Sequence, residues 1–251
     1  MKARIASILR LFLLLGAACR LYANTDPLRL STSETGRYVI RADGFELRVQ
    51  PSGKFDFYVA RRRLIIGPDV NLDYQGRRER GIRAEWACSV ESNAAGLRLV
   101  YEGRGGDLAV RQVFDVRPDG FDYAWDAEVV NPSPATQGIF ISGAFRDCEG
   151  LEFTANQRFG RSVSGRFSLE TPAVDNLKEV CFRLDDRRIA VQWPRGLEVA
   201  ITRPKYQGGA QKIFHVHCGN YYPEGVWPRS DLLPGDRVGF SMAVRVEMNK
   251  E

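Results

Sequence analysis

Two histidines serve the whole chain, His215 and His217, and residues 24–214 contain none. Any imidazole chemistry is therefore confined to one short segment. Also missing are a Gly-x-Ser-x-Gly elbow, His-Glu-x-x-His, a phosphate-cradling glycine loop, an EF-hand loop and Cys-x-x-Cys. Their absence removes the familiar esterase, zinc-protease, nucleotide, calcium and thiol-redox readings. No cofactor is implied. No second apolar run of membrane length follows the first two dozen residues, so no transmembrane span is expected. No window carries a capped hydrophobic stripe of helical period, and no repeat of 20–50 residues is evident. Asn131-Pro132-Ser133 has proline at the position that blocks N-glycosylation.

What is present begins with residues 1–23. Lys2, Arg4 and Arg10 precede the apolar run 11–18, and Leu21-Tyr22-Ala23 offers a small-residue cleavage site. That layout is a secretory signal peptide, which predicts an exported, secreted or periplasmic protein. The chain has 36 Lys and Arg against 31 Asp and Glu, a net charge of +5. Lys2, Arg4, Arg10 and Arg20 fall in the leader, which has no acid, so the mature part is close to neutral. The charge gives no reason to expect a nucleic-acid partner. Two local runs remain, Arg61-Arg62-Arg63 and Arg77-Arg78-Glu79-Arg80. They read as solvated turns, or alternatively as a phosphate- or sulfate-binding patch.

Of five cysteines, Cys19 lies in the leader. Leu-Gly-Ala-Ala-Cys loosely resembles a lipoprotein processing site, with Gly16 standing three before the cysteine, so a lipid anchor at Cys19 is an alternative fate of the leader. Cys88, Cys148, Cys181 and Cys218 allow three pairings in an oxidising compartment. Cys148–Cys181 is favoured, because neither sits at an obvious core-facing strand position.

The dominant pattern is strict alternation. Phe121, Tyr123, Trp125, Ala127 and Val129 alternate with Asp122, Ala124, Asp126 and Glu128. Phe45/Leu47/Val49, Trp86/Cys88/Val90, Val180/Phe182/Leu184 and Phe240/Met242/Val244/Val246 behave alike. Successive strand side chains point to opposite faces, so each run has one buried and one wet face. Asp43-Gly44, Pro51-Ser52-Gly53, Pro118-Asp119-Gly120 and Pro234-Gly235-Asp236 fall between the runs, as reversals require. The pattern predicts an all-β antiparallel two-layer β-sandwich, a single domain over 24–251. Residues 148–176 look irregular and are expected to form an excursion over one face or edge.

Val113 to Phe121, through Pro118-Asp119-Gly120, and Trp125 to Ser133 resemble a hairpin of the galactose-mutarotase-like supersandwich. Leu233-Pro234-Gly235-Asp236-Arg237-Val238 before the last long strand is similar to how such domains finish. The resemblance spans residues 37–247 in pattern. It implies a supersandwich of the kind found in sugar epimerases and as a domain of polysaccharide hydrolases and lyases. An epimerase would need a histidine acid and a carboxylate base. The family's histidines lie earlier in the chain, so the expected order is broken and mutarotation is not expected here. Glu224 and Glu247 are the nominal base candidates.

On one strand His215 and His217 share a face. They can contact a sugar, ligate a metal if a third ligand exists, or simply be two polar residues on a wet face. No third ligand lies at a recognisable spacing, so no metal is expected. The next segment, Asn220 to Asp231, carries Tyr221, Tyr222, Trp227 and Arg229. Ring faces beside donors suit a pyranose, and equally suit a hydrophobic lid on the sandwich. Asp122, Asp126 and Glu128 form a carboxylate row that either flanks a glycosidic bond or calcium, or is offset by neighbouring arginines. The reading adopted is a carbohydrate-binding, non-catalytic sandwich with contacts from His215, His217, Tyr221, Tyr222, Trp227 and Arg229. The alternatives are a hydrolase, lyase or epimerase using the histidines with Glu224 or Asp126, and a structural cell-envelope domain.

Overall fold

The computed structural model describes residues 27–74, 77–80, 85–105, 108–130, 136–195, 198–202, 212–218 and 234–248. The leader, Cys19, Tyr221, Tyr222, Glu224, Trp227 and Arg229 lie outside the described residues. The described residues form strands and turns without a helix, so among them no helix is long and apolar enough to cross a membrane.

In chain order the strands are β1 (Arg29–Thr32), β2 (Tyr38–Arg41), β3 (Glu46–Val49), β4 (Phe55–Val59), β5 (Arg62–Tyr74) and β6 (Arg77–Arg80). Then follow β7 (Glu85–Asn93), β8 (Gly96–Gly105), β9 (Leu108–Arg117), β10 (Gly120–Val129), β11 (Thr136–Phe145) and β12 (Glu152–Gln157). The last are β13 (Ser162–Arg166), β14 (Leu177–Leu184), β15 (Arg187–Arg195), β16 (Glu198–Thr202), β17 (Lys212–Cys218) and β18 (Arg237–Met248). They build two antiparallel sheets. The first runs β1-β2-β3-β4-β5-β11-β17-β16, with β6 paired to β5. The second runs β13-β12-β14-β15-β18-β10-β9-β8-β7.

The two apolar faces meet in an aromatic core. The ring of Phe55, from the first sheet, lies 5.5 Å from Phe114, 5.4 Å from Phe121 and 5.2 Å from Tyr123 of the second, all edge-on. Edge-to-face geometry sets the positive ring edge against the negative ring face. A second knot joins Phe145 of β11 to Phe182 of β14 at 5.1 Å. β10 behaves as its alternation predicts: Phe121, Tyr123, Trp125, Ala127 and Val129 are buried, while Asp122, Asp126 and Glu128 stay partly exposed. A polar thread crosses the core. The buried Tyr123 hydroxyl donates to Gln112 Oε1 at 2.7 Å, and Gln112 Nε2 donates to the Ser52 carbonyl at 3.0 Å. This satisfies both buried polar groups and ties the β3–β4 turn to the second sheet.

Three expectations need correction. Residues 148–176 are not simply an irregular excursion, because β12 and β13 pair there as an edge hairpin of the second sheet. Trp86, Cys88 and Val90 alternate as expected but are only half-buried, since β7 is an edge strand with one neighbour. Cys148 and Cys181 are not bridged; both are free thiols. Cys148 is fully buried, its thiol directed to the Leu64 carbonyl at 3.6 Å. Cys181 sits in the outward rows of β14, where Arg188 donates to its sulfur at 2.8 Å. The sheet itself stands between them.

Candidate functional site

β17 lies between β11 and β16 in the first sheet. In its register Val216 pairs with Ile141 on one side and Val199 on the other, both fully buried. His215 and His217 therefore occupy register positions that alternate with a core row. His215 stands between half-buried Ser142 and buried Ala200, and Ser142 is paired in turn with Asp69 of β5. His217 stands between Phe140 and Glu198. Phe140 pairs with Asn71, and Asn71 with Arg80 of β6.

Two adjacent rows thus read Asp69–Ser142–His215–Ala200 and Arg80–Asn71–Phe140–His217–Glu198. Directly opposed residues have Cβ atoms about 4.5–5.5 Å apart. A carboxylate residue at that register from an imidazole is the raw material of proton transfer or hydroxyl binding. The histidines were legible in the sequence, but Asp69, Asn71, Arg80 and Glu198 were not. They reach the site only through pairing of strands far apart in the chain. A β-bulge between Ser142 and Ala144 helps to set which residue of β5 meets Ser142.

The carboxylate row of the second sheet is an offset wet face. Asp122 accepts from Arg117 at 2.7 Å and also from Arg245, and Glu128 accepts from Arg237 at 2.9 Å. Asp126 lies in a cleft of about 1150 Å3 with Glu102, Arg104, Arg111, Glu128 and Arg237. Surface pairs of this kind each contribute only about 0–1 kcal/mol. Glu247, the nominal base on β18, is paired with Arg188 at 3.0 Å. Among the described residues no group of three or more His, Cys, Asp or Glu is arranged to hold a metal ion.

Neither Cys148 nor Cys181 is poised for reaction. Burial pushes the Cys148 thiol far up, and the Asp147 charge adds to it. Burial likewise raises Cys181, to about 11, with further help from the Glu179 carboxylate. Alkylation proceeds through the thiolate. Iodoacetamide at mildly alkaline pH should leave both unlabelled in the folded protein and label both after denaturation without reductant. Peptide mass mapping reads this directly. Recovery of a Cys148–Cys181 crosslinked peptide contradicts it.

No family model matches the chain, and no curated protein matches it in sequence. Solved structures do share its architecture. A galactose mutarotase-like protein from Lactobacillus casei aligns with a TM-score of 0.53 and 6% identity, over 84% of this chain and 100% of that one. A galactose mutarotase related enzyme from Lactobacillus acidophilus aligns at 0.50 and 8% identity, over 86% and 98%. The galactosidase domain of an alpha-galactosidase-sucrose kinase aligns at 0.52 and 6% identity, covering 88% of this chain and 42% of that one. At such identities the likeness concerns the fold. This chain has the galactose-mutarotase-like supersandwich architecture that its hairpin and terminal strand resembled.

Proposed function

We propose that this protein is an exported carbohydrate-binding sandwich that holds its ligand on the outward face of the first sheet, across β5, β11, β17 and β16. The observation that carries the reading is the register of β17. It puts the chain's two histidines in neighbouring rows, with Asp69 and Ser142 in one row and Asn71 and Glu198 in the other. Imidazoles, carboxylates and an amide on one face are matched to the donors and acceptors of sugar hydroxyls. Tyr221, Tyr222, Trp227 and Arg229 follow β17 closely in the chain and supply ring faces and a cation to the same ligand. The fold supports the reading too, since its structural neighbours include a galactose mutarotase-like protein and a galactosidase domain. Residues 1–23 support export, with the mature chain beginning at Asn24.

A second reading, a sugar-converting enzyme, is favoured by one specific feature, the pairing of Glu198 opposite His217. The test uses the protein recovered from outside the cytoplasm, its start checked by intact mass. Galactose, glucose and their oligosaccharides are titrated calorimetrically, and anomer interconversion and oligosaccharide cleavage are followed by NMR. Saturable binding is expected, weakened at least ~10-fold in His217→Ala and in Trp227→Ala with unchanged melting, as loss of about 1.4 kcal/mol implies. No product is expected. Turnover abolished by Glu198→Gln would establish the enzymatic reading instead, and silent titrations with every probe would remove the carbohydrate reading.

A further inference from the structure

The arginine run at 61–63 divides in the fold. Arg63 donates to Asp56 from both Nε and a terminal nitrogen, whereas Arg61 sits exposed at the tip of the β4–β5 hairpin. There it lines a cleft of about 590 Å3 with Arg41, Arg48, Tyr58 and Arg187. That is within the usual size of a small-molecule site, roughly 300–1,000 Å3. Four guanidinium groups face two carboxylates in this lining, Asp43 and Glu46. Glu46 is already engaged by Nε of Arg41 at 2.6 Å and by Nε of Arg48. Arg48 also lies over the Tyr58 ring, 4.3 Å from its centroid, which fixes its plane. Each of these pairs is made through Nε.

Arg187 is anchored beside the cleft, its Nη1 donating to the Gly44 carbonyl at 3.4 Å while its Nε is shut off from solvent. Arg61, for its part, makes no ion pair with a described residue. Its backbone is also in a conformation that its side chain disfavours. Val59 pairs with Arg62, so Ala60 and Arg61 alone make the turn, with φ of 47° and 66°. Such two-residue turns prefer Asn-Gly, which tolerates positive φ at both positions. Arginine at the glycine position is a local rule broken without a structural gain, the usual mark of a side chain kept for use.

We propose that this cleft is an oxyanion site that receives the sulfate or carboxylate of an acidic saccharide. Planar guanidinium groups bind these oxyanions in forked, charge-assisted pairs. The anion requirement stands on the arginine geometry alone; the saccharide part rests on the carbohydrate reading above. The full mature chain is titrated at low ionic strength with a sulfated disaccharide, its desulfated counterpart, a galacturonate oligomer and inorganic sulfate. The sulfated or uronate probe should bind at least ~10-fold more tightly than the neutral one and weaken as salt is added.

Arg61→Gly should lose about 10-fold in that affinity and yet melt about 2–4 °C higher, because the turn strain is relieved. A residue with a purely structural role would not show that opposed pair of changes. Binding of neutral galactose, which reads the histidine face, should be unchanged in Arg61→Gly, so failure of the histidine face and failure of this site are told apart. Unchanged affinity for the anionic probe in Arg61→Gly, or equal binding of the desulfated probe, overturns the proposal. Inorganic sulfate binding as tightly as the disaccharide overturns the saccharide part and leaves a free-anion site.

Discussion

Gly120→Ala should be among the most damaging single substitutions in this protein, costing about 4 kcal/mol or more and leaving little soluble product. Gly120 opens β10, between Arg117 of β9 and Arg245 of β18, with φ at 148°. A Cβ built there lies 2.0 Å from the Val244 carbonyl oxygen and 3.0 Å from the Arg245 Cα. These are backbone atoms, so no rotamer change relieves the overlap. β18 would have to move, and it lies between β15 and β10 near the middle of the second sheet. Gly96 makes a useful comparison. Its φ is 150° and its Cβ would meet the Val116 carbonyl oxygen at the same 2.0 Å, but it sits in β8, next to the edge strand. Urea unfolding should rank Gly120→Ala as the more destabilising of the two. A midpoint near wild type for Gly120→Ala would show that β10 and β18 do not approach as described.

Phe55→Ala should cost about 3–5 kcal/mol, the usual range for emptying a core aromatic site. Phe55 is fully buried and bridges the sheets through its contacts with Phe114, Phe121 and Tyr123. A coupling follows from the same ring. A Cβ at Gly67 would lie 2.5 Å from it, so Gly67→Ala alone should cost about 1–3 kcal/mol by overpacking. In the Phe55→Ala background that methyl has room, and its cost should nearly vanish. A double-mutant cycle measures the difference as an interaction energy. Phe55→Leu serves as the parent where the alanine variant does not fold. Additive losses would mean that Gly67 and the Phe55 ring are not neighbours.

The wet carboxylate face and the mixed use of the arginine run show how far pattern can be read. Asp122 and Glu128 were visible as the polar side of one strand, and arginines on adjacent strands do offset them. The same logic failed for Cys148. It lies just beyond a strand, where alternation gives no parity, and burial comes from packing beside Leu64 instead. Of the acidic residues now placed beside the histidines, Asp69 and Glu198 carry no local mark at all. Outward parity is shared by dozens of charged residues on a sandwich, and only register selects among them.

The chain by itself determined its class and its faces. Period-two alternation and glycine or proline turns are local properties, written within ten residues, and they fix strands, reversals and which side of each strand is buried. Tertiary structure alone decided the neighbours: β17 between β11 and β16, Arg187 beside the β2–β3 turn, Val244 against Gly120. Those adjacencies join segments up to about 140 residues apart, and their register depends on bulges and on the packing of two aromatic faces, which no short window of sequence contains.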